Sequence, residues 1–301
     1  MSIFTAYLAA EGFEAELRAE LGEMASEHGR LLLAEGPPRP AAWAQNIWRQ
    51  PFRLENASIG EAAKALKAIQ RNWWPYEFHL HRRTTLLVEK LPKVSAKPLS
   101  FGQPAPVAAL GAFCWLDDRT LLASAQCSSP FPNGEAVFVE DRLAPPNRAY
   151  LKLWEALTLA GAMPEPGQTC LDLGASPGGW TWVLASAGAR VVSVDKAPLA
   201  PAVAALPNVE VRQGSAFGLE PADIGPVDWL CSDVICYPER LLRLVERWRD
   251  SGLVRNFICT LKFQGDTDHA TARLFAAIPG SRLLHLSHNK HELTWINVVA
   301  R

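Results

Sequence analysis

Residues 169–195 read TCLDLGASPGGWTWVLASAGARVVSVD: an apolar run, a glycine-rich turn, a helical run, and a second apolar run closed by Asp195. The two apolar runs have the length of buried strands, and the segment between them is long enough for one crossover helix. A strand, loop, helix, strand unit of this kind receives ligands at the carboxyl end of its first strand. At that place stand Asp172, Gly174, Ala175, Ser176, Pro177, Gly178, Gly179 and Trp180. Glycines there let a ligand approach the backbone closely, and the first turn of the following helix offers unpaired amides. The spacing is G-x-x-x-G-G, unlike the G-x-G-x-x-G of pyrophosphate binders. Asp195 ends the next strand, where a carboxylate can accept both hydroxyls of an adenosine ribose. The stretch predicts a nucleoside-cofactor site; these residues alone leave a nicotinamide open, and a glycine turn that merely caps a buried helix is the plain alternative.

Strand-like runs continue at 209–213, 227–234, 256–263, 282–288 and 293–300, with a helical run at 237–252. Strands that alternate with helices imply a doubly wound, mostly parallel sheet, because parallel neighbours need crossovers. The last two runs, separated only by NKHE, predict an antiparallel hairpin at one edge. The fold expected for residues 144–301 is therefore α/β and Rossmann-like. Upstream, 3–9 and 30–34 read as strands around a helix over 12–29, Gly36–Pro40 breaks the chain, and 59–70 has helical spacing. TTLLVEKL at 84–91 reads as a strand. GAFCWL at 111–116 and the run at 120–126 read as a hairpin turned by Asp117, Asp118 and Arg119. Residues 1–143 are expected to form an α+β domain, with the boundary near Leu143, and 148–161 an amphipathic helix leading into the second domain.

The chain has 301 residues, is 49% hydrophobic and 20% charged, and carries a formal net charge of -1, which excludes disorder, fibrous repeats and binding of nucleic acid by uniform basicity. Six cysteines without a C-x-x-C, several inside apolar runs, suit a reduced cytoplasmic protein rather than a disulfide framework or zinc ribbon. The amino terminus lacks a basic start and meets Glu11, Glu14 and Glu16 too early for a signal peptide, and no apolar run reaches the roughly 20 residues of a membrane span. Neither membrane association nor a metal is expected. His285, His288 and His291 lack metal-binding spacing and a cysteine partner.

Four polar residues stand out by position. Lys152 lies in the helix leading into the second domain, Asp233 and Lys262 end consecutive predicted strands, and Glu292 begins the last one. By the rule that placed the glycine loop, Asp233 and Lys262 face the same crevice. The alternative is four unrelated surface charges.

Asp172-x-Gly174-x-x-Pro177-Gly178-Gly179, with the order Lys152, Asp233, Lys262, Glu292, resembles the S-adenosylmethionine-dependent methyltransferases of the FtsJ type that act on ribose 2'-hydroxyls. A closer resemblance, to the RlmM family of 23S ribosomal RNA methyltransferases, rests on GFEAEL near the start, SSPFPNG at 128–134, APPNRAYLKLWEAL at 144–157, LDLGASPGGWTW at 171–182, VVSVDKAPL at 191–199, and on CSDV, TLKF and HELTW. It is specific from Ser128 onward. The resemblance implies methyl transfer from S-adenosylmethionine to a cytidine ribose 2'-hydroxyl of 23S rRNA or its precursor, by in-line attack. The Lys262 amine would act as base in a tetrad with Lys152, Asp233 and Glu292, and Asp233 would also sit close to the methionine moiety of the cofactor. A lysine takes a proton only when neutral, a state favoured by burial beside other cations.

The family's amino-terminal half holds a THUMP-type RNA-binding module, and residues 1–143 look short for a complete one. Gly214 and Ser215 stand where the family carries an acidic residue, so adenine recognition is expected to pass to the backbone or to the Ser215 hydroxyl. Readings from other classes are a methyltransferase of this fold on a non-RNA substrate and a non-catalytic RNA-binding or ribosome assembly factor. The residues leave the oligomeric state open.

Charge is uneven along the chain: net -5 over 1–35, +7 over 36–100, -8 over 101–239 and +5 over 240–301. Two candidate RNA surfaces follow, the 36–100 module and the set Arg240, Arg243, Arg247, Arg249 and Arg255. Trp73 and Trp74, among Arg71, Arg82 and Arg83, read as packing, with base stacking as the alternative, and His79 and His81 read as sharing one strand face.

Overall fold

A computed structural model describes residues 3–299; Ala300, which ends the last strand-like run, lies outside them with Met1, Ser2 and Arg301. The chain divides into two compact units, one of residues 1–98 and 105–137, the other of 99–104 and 138–301.

The first unit contains β1 (Phe4–Ala9), α1 (Glu14–Leu21), β2 (Ser26–His28), β3 (Leu31–Glu35), β4 (Ala44–Trp48), β5 (Phe52–Leu54), α2 (Ile59–Ile69), β6 (Trp73–Pro75), α3 (His81–Val88), β7 (Gly111–Trp115) and β8 (Leu121–Ser124). They form two four-stranded sheets, ordered β2-β3-β1-β4 and β5-β8-β7-β6. Alternation along β7 explains how they share cores. Ala112 and Cys114 pack with Leu8, Leu33 and Trp48 of the first sheet, whereas Phe113 and Trp115 pack with Ala62, Leu66 and Leu87 of α2 and α3. Ser58 caps α2 by a reciprocal bond with Glu61, a capping box.

Two local readings are corrected here. TTLLVEKL is not a strand: His81–Val88 is α3, and Thr84, Leu87 and Leu91 are buried at helical spacing, so packing overrides the β-branched Thr84, Thr85 and Val88. His81 therefore opens a helix and shares no strand face with His79. The helix expected over 12–29 ends at Leu21, because Gly22 adopts φ +79° and the chain re-enters the sheet as β2.

The second unit contains α4 (Tyr150–Ala160), β9 (Thr169–Leu173), α5 (Gly179–Ser186), β10 (Arg190–Asp195), α6 (Pro201–Ala204), β11 (Val209–Gln213), α7 (Pro221–Ile224), β12 (Val227–Ser232), α8 (Pro238–Asp250), β13 (Val254–Lys262), α9 (His269–Ala277), β14 (Ser281–Leu284) and β15 (Glu292–Asn297). Its seven-stranded sheet runs β11-β10-β9-β12-β13-β15-β14. The first five strands are parallel, and β15 pairs antiparallel with both β13 and β14. This is the Rossmann-like doubly wound sheet with an antiparallel hairpin that the sequence predicts; β15 lies inside it and β14 forms the edge. β9 has β10 on one side and β12 on the other, so the strand order reverses there. A crevice for ligands opens at that switch point.

Candidate active site at the carboxyl edge of the parallel strands

The glycine loop between β9 and α5 is held from below by buried polar groups. Asp172 is fully buried, and its Oδ2 accepts a 2.6 Å bond from the Thr181 hydroxyl on α5. With its one proton committed, Thr181 accepts in turn from Ser193 Oγ of β10 at 2.8 Å. Asp172 Oδ1 has no hydrogen-bond partner. Burial pushes the Asp172 carboxyl up to about 7, and the neighbouring Asp233 and Asp195 add to the rise.

Close approaches shape the loop itself. Gly174 adopts φ +79°, and a Cβ there would lie 2.7 Å from Val234 Cα. At Gly179 a Cβ would collide with Asn147 Oδ1. Ala175 is buried, Pro177 is exposed and its carbonyl accepts from Ala200 N, and Gly178 is the N-cap of α5. The indole of Trp180 is buried and donates to the Ala149 carbonyl at 2.9 Å, so what Trp180 offers a ligand is its backbone amide. Asp195 fastens the loop across the crevice: its Oδ2 accepts from Ser176 N at 2.9 Å and its Oδ1 from Ala197 N at 2.9 Å. Each oxygen retains a second lone pair for a hydroxyl donor. Gly214 N donates to the Asp195 carbonyl at 2.9 Å, and the Ser215 hydroxyl accepts from Phe217 N, which sets 214 and 215 beside Asp195.

Across the switch point the four charged residues meet. Lys152 Nζ donates to both carboxylate oxygens of Asp233 at 2.8 Å and to Glu292 Oε1 at 3.1 Å. Lys262 Nζ lies 3.2 Å from Asp233 Oδ1. Strand ends deliver three of the four, since Lys262 and Glu292 are a cross-strand pair of β13 and β15 and Asp233 follows β12 directly. Burial works against the charge on Lys152, yet Asp233 and Glu292 hold its pKa above the ordinary value. Lys152 is thus a fixed cation whose three protons are all engaged. Lys262 has the longer contact and more solvent, with 19% of its side chain exposed against 9% for Lys152.

Several neighbours of the site carry no motif that marks them in the sequence. Thr181 and Ser193 read as ordinary helix and strand residues, and Asn147 as a loop residue. The histidines go separate ways: His285 contacts the Lys290 carbonyl and burial lowers its pKa to about 4, His288 faces Glu155, and His291 meets Thr267 Oγ1 at 2.7 Å. Among the described residues no group of three His, Cys, Asp or Glu side chains is placed to hold a metal, and no helix is long and apolar enough to cross a membrane. Trp73 is a core residue whose indole donates to the Leu66 and Gln70 carbonyls, while Arg83 stacks on Trp115. In the other arginine set, Arg247 pairs with Glu220 at 3.0 Å and Arg240 lies over the Phe217 ring.

A sheet of this order, with a glycine loop and an acidic strand end at its switch point, defines a methyltransferase domain, and residues 145–262 match the FtsJ-like methyltransferase family. The chain is similar to proteins named ribosomal RNA large subunit methyltransferase M. It is 38% identical over 161 residues to ribosomal RNA large subunit methyltransferase M of Halorhodospira halophila, covering 52% of this chain and 47% of that one. With the protein of the same name from Xanthomonas oryzae pv. oryzae it shares 36% identity over 200 residues, 60% of this chain and 56% of that one. The chain therefore spans about half the length of the curated relatives it matches. A solved ribosomal RNA methyltransferase from Plasmodium falciparum is 17% identical, with a TM-score of 0.39 over 52% of this chain and 99% of that one.

Proposed function

We propose that the protein transfers a methyl group from S-adenosylmethionine to a ribose 2'-hydroxyl of RNA, a cytidine of 23S ribosomal RNA or its precursor, in the cytoplasm. The observation that carries this is the cluster in which Lys152 holds Asp233 and Glu292 while Asp233 holds Lys262, one strand away from the glycine loop. Relatives named as ribosomal RNA methyltransferases supply the substrate class.

The residues present suit the cofactor. Asp195 ends β10 with acceptor capacity for ribose hydroxyls, Gly174 lets the loop pack directly on Val234 beside Asp233, and the buried, unpartnered Asp172 Oδ1 is an acceptor in want of a donor. Asp195 with Ser176 would hold the ribose, Gly214 and Ser215 would flank the adenine, and the amides of Gly178, Gly179 and Trp180 with Ala175 and Asp233 would surround the methionine portion. S-adenosylmethionine supplies, when bound, a methyl group on a positive sulfur.

The chain's own groups do the rest. Lys262 Nζ accepts the proton of the 2'-hydroxyl. Lys152 stays charged and pins Asp233, which fixes where Lys262 points; Glu292 fixes Lys152 from the other side. General-base help of this sort is worth about 10²- to 10⁴-fold, and holding the reacting groups in place contributes about 7 to 11 kcal/mol, so positioning dominates. RNA backbone contacts would come from the basic 36–100 segment and from Arg240 at the start of α8. Mapping 2'-O-methyl sites on ribosomal RNA with and without the gene tests the reading: one cytidine of 23S RNA loses its mark on deletion, and an unchanged map rejects it.

A further inference from the structure

The loop that follows Asp233 exposes two large apolar side chains beside the tetrad. Ile235 is 75% exposed and Tyr237 64% exposed, while Cys236 between them is buried. The alternation is locked. Val234 packs against Gly174, the Cys236 thiol sits near both Arg240 and Lys262, and the Tyr237 carbonyl accepts from the amides of Arg240 and Leu241 at 3.0 and 3.3 Å. Tyr237 is also the N-cap of α8, with Pro238 buried behind it. The backbone of this segment is therefore fixed by its own anchors, and the tyrosine ring, largely exposed, is open to a partner that arrives from solvent.

We propose that Tyr237, flanked by Ile235, is the stacking platform for the base of the nucleotide whose ribose faces Lys262; this deepens the function proposed above and rests on it. Distance permits it, because the four residues from Asp233 to Tyr237 span at most about 14 Å, and a nucleotide with a tyrosine ring bridges that length. Charge favours it as well. Arg240 follows Tyr237 by three residues in α8, with its guanidinium 3.8 Å from the centre of the Phe217 ring and its charge felt at Cys236, so a cation stands within one helical turn of the platform for a flanking phosphate. An exposed aromatic ring one helical turn from a basic residue, four residues beyond Asp233, suits a base better than an apolar peptide. Tyr237 is a positioning residue in this scheme and does not touch the transferred group.

The test uses the full chain, in vitro transcribed 23S RNA and tritiated-methyl S-adenosylmethionine. For Tyr237→Ala, KM for the RNA rises about 10- to 100-fold while kcat stays within about threefold, as loss of one stacked base predicts. Cofactor affinity and melting temperature stay at wild-type values. Tyr237→Phe and Tyr237→Trp keep the wild-type KM, and Tyr237→Leu, apolar but without a π face, does not. Unchanged KM in Tyr237→Ala, or full rescue by leucine, overturns the platform while the wild-type transfer upholds the function. If the wild-type chain transfers nothing to 23S RNA, the function fails and the platform fails with it.

Discussion

Helix α4 buries two charged residues three positions apart, and they lead different lives. Lys152 and Glu155 are 7% and 2% exposed, so burial does not tell them apart. Glu155 accepts from the Ser287 amide and hydroxyl at 2.9 to 3.0 Å and faces His288, all within the turn between β14 and β15. Its donors come from that one turn, which ends no parallel strand. Lys152 reaches Asp233 after β12 and Glu292 at the start of β15, and through Asp233 it is tied to Lys262. A buried ion becomes a site when the carboxyl ends of parallel strands converge on it; otherwise it is a fastening.

The comparison breaks most visibly at Lys262. Lys262→Ala removes the proposed base from a side chain that is partly exposed, so methyl transfer into 23S RNA falls about 10²- to 10⁴-fold while urea denaturation stays near wild type. Full activity in this variant removes Lys262 from the catalytic scheme. Lys152→Met tests the other amine and acts on both readouts. It leaves Glu292 buried without its cation and Asp233 with Lys262 alone, which costs about 3–5 kcal/mol of stability, and it frees the Asp233 carboxylate that positions Lys262. A variant as stable as wild type would mean that the Glu292 carboxylate is solvated or protonated.

How much of this was legible in the sequence depends on the link. Parallel strands buried on both faces leave long apolar runs, and a residue that ends such a run lies at the sheet edge whatever its neighbours are; this is why the sequence alone puts Asp195, Asp233, Lys262 and the glycine loop at one edge. Pairwise chemistry was not legible. Nothing in the sequence says that Lys152, and not Lys262, takes both Asp233 oxygens, because that depends on how α4 packs, or that the Trp180 indole donates to the Ala149 carbonyl. The first unit was harder for a physical reason. Its strands are as short as three residues, as in β5 and β6, too few to show a period of two, and α3 carries enough β-branched residues to pass for a strand.

Asp172 sharpens the comparison through pH. Its carboxyl is raised to about 7, chiefly by burial, whereas an unfolded aspartate titrates near 3.9. Below about pH 4 both states hold the proton, and the contribution to stability is at its fullest. Between about pH 4 and 7 only the folded state holds it, so stability falls as pH rises through that window and levels off above it, by an amount on the order of a few kcal/mol. Asp172→Asn removes this slope from the pH dependence of urea unfolding in the cofactor-free protein. An unchanged slope would assign it to another group.

The smallest effect belongs to the fastening. Glu155→Ala leaves the Ser287 amide without its acceptor and costs about 1–3 kcal/mol, but it touches no strand end of the parallel sheet, so methyl transfer at saturating RNA stays within about threefold of wild type. The two buried charges then separate by readout: Lys262 changes turnover alone, Lys152 changes turnover and stability, and Glu155 changes stability alone. Loss of turnover in Glu155→Ala with stability retained would erase the distinction, because it would make the β14–β15 turn part of the machinery that orients Glu292 and hence Lys152.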